Sequence, residues 1–413
     1  MSNIINMLAD ASPELARLRQ RRPEAVENAE LTFTALFEPA DEGDVPLAWR
    51  YGVATFVAGL TGLPTASAFY RELLEDEDPG LAEAVDAALA RGTSEGPYWH
   101  GDFVLFGDVA GAASEQFAAA LDFAHLLVFH PKDSTAAAIG HLQAAGWSDN
   151  GIVTLAQLIA FVTFQLRVVH GVRVLGGVDA GGAQRAELAQ RAQRASTSGR
   201  AHGVVDPGWE PGPRTLLPDV VAPTKFMEHS LGWRAWVPSL DKSEFTEEHR
   251  DALLKPERID MEYFRLLARD PAVLKARTLT DLDIFYNTDG GLGRAERELA
   301  ATVVSRLNGC EYCASVHQGR AKQEGGDAEA VSRLLDEGVT ADLGTELWNA
   351  LRDAAVALTH TPIAFSQQHV EALRAADCGE LEILDLINSA AFFNWANRLM
   401  LSLGAADVPK RYR

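Results

Sequence analysis

One stretch of the chain, "GRAERELAATVVSRLNG", repeats apolar residues at a regular interval. Leu299, Val303 and Leu307 stand four residues apart within it. Residues at that spacing share one face of an α-helix, so the pattern predicts an amphipathic helix from about Arg294 to Leu307. The Asn-Gly pair that follows predicts the end of this helix, because glycine readily adopts the left-handed conformation found at many helix ends.

Helical spacing extends along nearly the whole chain and predicts an all-α fold. Ser12 before Pro13, and Thr246 before two glutamates, are typical helix starts. Runs that alternate strictly between apolar and polar residues are scarce, so no sheet is expected. The most apolar segment, residues 152–166, is expected to be too short for a membrane-spanning helix and is interrupted by two glutamines.

A segment without helical periodicity divides the chain. Residues 196–222 are dense in glycine and proline, which favours a linker or a long connecting loop. We therefore predict two helical domains, residues 1–195 and 236–413, joined by a linker at residues 196–235.

The two halves resemble each other in four blocks that occur in the same order. The offset between matching residues falls from 248 to 228 along the chain, as differences in loop length would produce. The paired blocks are 17–37 with 265–285, 50–62 with 297–309, 120–130 with 350–360, and 141–176 with 369–404. This order predicts two tandem copies of one helical domain.

Candidate chemistry is concentrated just after the predicted Arg294 helix. Cys310, Cys313 and His317 have the spacing of residues that share one face of the next helix, with Cys310 in its first turn. A helix start stabilises a thiolate, and a nearby imidazole can accept the thiol proton. This set suits a centre that cycles between a dithiol and a disulfide.

The first copy lacks these groups while it keeps the apolar frame around them. The residues that face Cys310, Cys313, His317 and Glu298 at the offset of 247 are Leu63, Ala66, Tyr70 and Tyr51. We therefore interpret Cys310, Cys313, His317 and Glu298 as one functional set, present in the second copy and absent from the first.

Other uses of a cysteine pair fit less well. Attachment of c-type haem needs a histidine directly after the second cysteine, where this chain has Ala314. A structural zinc site needs four ligands and only three are at hand. Glu311-Tyr312 between the cysteines differs from the Gly-Pro of a thioredoxin-like centre, which also follows a strand. Two inert buried thiols remain an alternative.

The residues Glu298, Cys310, Cys313 and His317 resemble the motif of the alkylhydroperoxidase branch of the carboxymuconolactone decarboxylase superfamily. That motif has a glutamate, the first cysteine of a CxxC pair twelve residues later, and a histidine four residues after the second cysteine, and this chain matches each position. The clear resemblance covers about residues 236–413. The first half resembles a diverged second copy of the same domain.

This resemblance implies an all-helical, cofactor-free thiol peroxidase without a metal. By the resemblance, Cys313 is the peroxidatic thiolate, Cys310 resolves it to a disulfide, and Glu298 with His317 forms a proton relay. A lipoyl-like or thioredoxin-like dithiol would restore the enzyme, and relatives usually form oligomers, so a homo-oligomer is expected. Some members carry a histidine between the cysteines, where this chain has Tyr312, a poor proton acceptor.

Composition limits the partners of the protein. The net charge of −21 opposes nonspecific binding to nucleic acid or to anionic membranes. Three cysteines in 413 residues do not make a disulfide scaffold, and the first residues lack the pattern of a signal peptide, so a cytoplasmic location is expected.

Two further functions stay open at this point. One is a non-redox enzyme such as a lactone decarboxylase, whose chemistry needs no CxxC pair. The other is a non-catalytic, redox-responsive binding protein.

Phe392, Phe393 and Trp395 are expected in the core, with a place along a substrate channel as the alternative.

Overall fold

The computed structural model describes residues 3–91, 104–111, 113–178 and 219–413. This part of the chain forms eighteen α-helices and one two-stranded sheet, which confirms the all-α prediction. The helices of the first half are α1 (Ile4–Ala9), α2 (Pro13–Arg19), α3 (Pro23–Phe37), α4 (Leu47–Thr61), α5 (Pro64–Glu77), α6 (Pro79–Leu89), α7 (Glu115–Phe129), α8 (Ala136–Ala144) and α9 (Asp149–Leu175). Those of the second half are α10 (Glu247–Ala252), α11 (Glu262–Leu267), α12 (Pro271–Tyr286), α13 (Arg294–Asn308), α14 (Glu311–Gln323), α15 (Ala328–Glu337), α16 (Glu346–Thr359), α17 (Gln367–Ala375) and α18 (Glu380–Leu403).

The helix boundaries predicted from single residues are confirmed. The hydroxyl of Ser12 accepts a backbone N–H in the first turn of α2, and that of Thr246 does the same for α10. Helix α13 ends at Gly309, whose φ of 76° lies in the left-handed region. Local capping chemistry therefore determines where these helices start and stop.

A small sheet was not expected from the sequence. Strand β1 (Gly232–Ala235) pairs antiparallel with β2 (Gly404–Asp407), which directly follows α18. Strands of four residues are too short for alternation to be recognised, so the prediction of no sheet was wrong here. Strand β1 lies within the predicted linker at residues 196–235, of which residues 196–218 are outside the described part of the chain.

The apolar segment at residues 152–166 belongs to a helix longer than expected. Helix α9 has 27 residues, and its length and composition would allow it to cross a membrane. The expectation that it is too short was wrong, because residues on both sides continue the helix. Its most apolar window is wholly buried in the protein, largely against α18, and this burial accounts for the composition without a membrane.

Both halves contribute to one hydrophobic core. Helices α9 and α18 pack side by side, and α3 packs along α12. A buried arginine from each half donates a hydrogen bond to a backbone carbonyl of the other half. Nη2 of Arg167 on α9 donates to the carbonyl of Thr359 at the end of α16 (2.9 Å), and Nε of Arg398 on α18 donates to that of Leu127 in α7 (2.8 Å). These bonds satisfy carbonyls at helix ends that would otherwise be buried without donors.

A buried ion cluster also joins the halves. Nε and Nη2 of Arg22 donate to the carboxylate of Asp385 at 2.9 and 2.8 Å, and Nη2 of Arg297 donates to it at 3.0 Å. Burial raises the pKa of Asp385, while the hydrogen bonds and charges of the two arginines act in the opposite direction. Because Arg297 directly precedes Glu298, this cluster fixes the helix that carries a candidate site residue.

Candidate active site

A tight turn between α13 and α14 presents the two cysteines. Gly309 ends α13, Cys310 is the N-cap of α14, and Cys313 lies in the first turn of α14. The predicted place of Cys310 inside the first turn is therefore off by one position. The side chain of Lys132 in the first half packs directly against Gly309, since a Cβ at Gly309 would lie 2.7 Å from Cβ of Lys132. The turn thus needs glycine for its backbone and for the contact between halves.

Cys310 and Cys313 are neighbouring free thiols, and both are buried. Burial raises the pKa of Cys310, and the hydrogen bond and negative charge of Cys313 raise it further. The position at a helix start therefore does not turn Cys310 into a thiolate near neutral pH. A negative charge on one of the two thiols disfavours a negative charge on the other.

Glu298 and His317 form a buried pair on neighbouring helices. Nδ1 of His317 on α14 lies 2.5 Å from Oε2 of Glu298 on α13. Burial alone would raise the pKa of Glu298, but the charge and hydrogen bond of His317, together with those of Arg294, outweigh it and lower this pKa. Glu298 is therefore a carboxylate at neutral pH. It engages Nδ1 of the imidazole, so Nε2 is the nitrogen left to exchange a proton.

Arg294 is a member of this group that sequence reasoning did not identify. It lies one turn before Glu298 on α13, and its Nε donates to Oε1 of Glu298 at 2.7 Å. Its guanidinium also stacks over the ring of Tyr286, 3.9 Å from the centroid. The spacing of four residues between an arginine and a glutamate was the available signal.

Aromatic rings enclose the imidazole. The ring of Phe393 on α18 meets His317 edge to face, with centroids 4.3 Å apart, and Phe285 on α12 lies 6.1 Å away. Phe392, Phe393 and Trp395 are all buried, which confirms their predicted place in the core. Phe393 belongs to the core and to the surroundings of the site at once. Water is thereby restricted around His317, which strengthens its interaction with Glu298.

Tyr312 lies between the two cysteines on α14. Burial raises its pKa to about 12, and the neighbouring Cys313 adds to this shift. The phenol is therefore neutral over the physiological pH range. It can donate a hydrogen bond but cannot act as a base there.

In the first half, the positions that match His317 and Glu298 are occupied by tyrosines with structural contacts. The hydroxyl of Tyr70 donates to Oε1 of Gln165 at 2.6 Å, and the hydroxyl of Tyr51 donates to the carbonyl of Phe37 at 3.1 Å. Both tyrosine rings also lie against the ring of Phe37. These residues hold their helices together, and they carry neither a thiol nor an imidazole.

Part of the second half matches a known protein family. Residues 271–357 match the model of the carboxymuconolactone decarboxylase family. This segment runs from the start of α12 into α16, and it includes Glu298, Cys310, Cys313 and His317. No curated protein matches the chain. The family match supports a relation of the second half to the carboxymuconolactone decarboxylase superfamily.

Proposed function

We propose that the protein is a thiol-dependent hydroperoxidase whose reaction takes place at Cys313. The thiolate of Cys313 attacks the terminal oxygen of an organic hydroperoxide, and the O–O bond breaks. Cys313 is oxidised to a sulfenic acid, and the substrate leaves as an alkoxide that takes up a proton to become an alcohol. The observation that carries this proposal is the 2.5 Å contact between Nδ1 of His317 and Glu298, one helical turn beyond Cys313.

The Glu298–His317 pair supplies the proton chemistry. Nε2 of His317 accepts the thiol proton of Cys313, and the carboxylate of Glu298 stabilises the imidazolium that results. The imidazolium then returns the proton to the departing alkoxide. The lowered pKa of Glu298 supports this role, because the carboxylate must stay charged through the cycle.

Cys310 is the resolving thiol in this proposal. Its sulfur attacks the sulfenic acid of Cys313, a disulfide forms, and the oxygen leaves as water with the thiol proton of Cys310. The raised pKa of Cys310 suits a group that must remain a thiol until the peroxide has reacted. An external dithiol, lipoyl-like or thioredoxin-like, then reduces the disulfide and is itself oxidised.

Mutation of single cysteines tests this function. Cys313→Ser should abolish dithiol-dependent consumption of an organic hydroperoxide. Cys378→Ser is the matched control, because Cys378 is also a buried free thiol, with its pKa raised to about 11 mainly by burial. Full activity of the Cys313→Ser variant would rule out the proposal.

A non-redox lactone decarboxylase is the second candidate, and the name of the matching family favours it. Such chemistry does not require either cysteine. Replacement of both Cys310 and Cys313 by serine therefore separates the candidates, since only a decarboxylase would keep its turnover on a panel of lactones.

We further propose that the two halves arose by tandem duplication. Arg50 in α4 donates to the carbonyls of Val45 and Leu36, at 2.9 and 2.8 Å. Arg297 in α13 donates to those of Leu292 and Ile284, at 2.8 and 2.9 Å. The two sets of partners are related by the same offsets of 247 and 248 residues that align the sequences. In this proposal the first half packs against the reactive half, and the protein forms homo-oligomers in the cytoplasm.

A further inference from the structure

Arg277 on α12 is a largely buried cation that forms no ion pair or hydrogen bond with the described residues. Its residue exposure is 6%, and its Nε atom has no hydrogen-bond partner in the described part of the chain. No described carboxylate lies within ion-pair distance of its guanidinium. The guanidinium instead stands over aromatic rings, 4.9 Å from the centroid of Phe392 and 5.8 Å from those of Tyr263 and Trp395. A buried N–H donor without an acceptor is costly, because its hydration has not been replaced.

Tyr263 on α11 places a second unused donor beside Arg277. Its hydroxyl is buried and has no hydrogen-bond partner among the described residues. Burial raises the pKa of Tyr263, with the charge of Arg277 lowering it and that of Cys313 raising it. The hydroxyl is thus within electrostatic reach of the guanidinium and of the reactive thiol at once.

A series of aromatic contacts connects Arg277 to the reactive centre. Phe392 lies under the guanidinium, and its ring centroid is 6.0 Å from that of Phe393. Phe393 in turn contacts His317. Arg277 and the imidazole of the proposed relay therefore contact consecutive residues of α18.

The charges around this position favour an anion. Asp281, one turn after Arg277, is a nearby carboxylate, and burial raises its pKa while the charge of Arg277 lowers it. Arg320 on α14 adds a second positive charge that acts on Asp281. The remaining carboxylate nearby, Glu298, is already compensated by its ion pairs with Arg294 and His317.

We propose that Arg277 and the hydroxyl of Tyr263 bind the carboxylate of an anionic organic hydroperoxide and so direct its peroxide group to Cys313. Both groups are donors here, and the planar guanidinium matches a carboxylate with two parallel hydrogen bonds. The aromatic rings between Arg277 and His317 contact the apolar body of such a substrate. This assignment names the substrate class of the proposed peroxidase and rests on that function.

Two size-matched substrates test this assignment on the unmodified protein. They are the para-carboxylate and the para-carboxamide of cumene hydroperoxide, which differ in charge at the end away from the peroxide. We expect kcat/KM to favour the carboxylate by roughly 10- to 100-fold, the range of a charge-assisted hydrogen bond. Equal kcat/KM values for the two substrates would overturn the assignment.

Substitutions then localise the effect. Arg277→Gln and Tyr263→Phe should each reduce the preference for the carboxylate over the carboxamide, mainly through a higher KM for the carboxylate. Arg277→Lys keeps the positive charge but loses the two parallel N–H donors of the guanidinium. This variant should keep only part of the preference for the carboxylate. Arg320→Gln is the matched control for charge without contact. An equal loss of the preference in Arg320→Gln and Arg277→Gln would overturn the assignment, because it would indicate long-range attraction by positive charge and not contact with Arg277.

Binding without turnover separates this assignment from the proposed function. The alcohol derived from the para-carboxylate substrate cannot be reduced further, so its affinity can be measured by calorimetry in any variant. We expect binding to the unmodified protein and loss of roughly 10-fold or more in affinity with Arg277→Gln. If neither hydroperoxide is consumed, the peroxidase proposal fails. The binding measurement still tests whether Arg277 binds the carboxylate. Equal affinity of both proteins for the alcohol would overturn its role.

Discussion

Nδ1 of His317 and Oε2 of Glu298 lie 2.5 Å apart at the contact between α13 and α14. The contact joins two residues that are 19 positions apart in the chain and that both lie in the interior. The carboxylate lies where it can stabilise a positive charge on the imidazole. Much of the proposed chemistry depends on this one pair.

Replacing Glu298 by glutamine should slow the peroxide reaction while leaving Cys313 in place. The amide keeps the size of the side chain but cannot stabilise an imidazolium. We expect kcat/KM for a hydroperoxide to fall by about 100-fold, at the lower end of what general acid–base catalysis contributes. Arg294→Gln should give a smaller loss, since the carboxylate remains. An unchanged rate with Glu298→Gln would show that His317 works without this carboxylate.

Glu298→Gln should also change how the stability of the protein depends on pH. The pKa of Glu298 is lowered on folding from its ordinary value of 4.5. A lowered pKa in the folded state adds stability above the unfolded value, and this contribution is lost as the pH falls through the folded value. The difference in free energy of unfolding between the unmodified protein and Glu298→Gln should therefore be largest above pH 4.5 and shrink on acidification. Denaturant titrations over that pH range measure it.

Gly309 and Gly62 offer a matched pair of substitutions. Both end a helix with a positive φ, 76° and 73°, but only at Gly309 would a Cβ meet another residue, Lys132 at 2.7 Å. Gly62→Ala should cost about 1 kcal/mol from the backbone alone. Gly309→Ala should cost more and also lower peroxidase activity, because it displaces Cys310. Equal losses of stability, measured by denaturant unfolding, would contradict the close contact at Gly309.

Asp385 should matter far more for stability than an exposed aspartate. Asp385→Asn leaves two buried arginines, Arg22 and Arg297, without their shared charge, and we expect a loss of about 3–5 kcal/mol. Asp289 pairs with Arg21 at 3.5 Å on the surface, so Asp289→Asn should cost less than about 1 kcal/mol. Guanidinium unfolding compares the two, and similar losses would argue against the buried cluster as a link between the halves.

Tyr312 should not take part in proton transfer at neutral pH. Its pKa of about 12 keeps the phenol neutral, so Tyr312→Phe should leave the shape of the pH–rate profile unchanged below about pH 10. The absolute rate can still fall if the hydroxyl donates a hydrogen bond. Loss of an ascending limb near neutral pH in this variant would assign Tyr312 the role of a base.

The parts of the structure with local signals were predictable from the sequence. The spacing of Leu299, Val303 and Leu307 predicts α13, and glycine predicts its end. Helical spacing also brings Cys313 and His317 to one face of α14.

Features that depend on distant partners gave no such signal. Asp385 and Arg22 are 363 residues apart, and the donors Arg277 and Tyr263 meet only through the packing of α11, α12 and α18. The small sheet was missed for this reason as well as for the shortness of its strands, since the two strands come from distant parts of the chain. Hydrophobic periodicity identifies buried faces, but it does not identify which buried faces meet.

A single-turnover reaction tests the central claim most directly. The fully reduced protein is mixed with one equivalent of an organic hydroperoxide in the absence of any reductant, and free thiols, alcohol and peptide disulfides are measured. The proposed function predicts one alcohol formed, two thiols lost, and a disulfide between Cys310 and Cys313, with Cys378 still reduced. Consumption of the hydroperoxide without loss of these two thiols, or equal consumption by the Cys313→Ser variant, would contradict it.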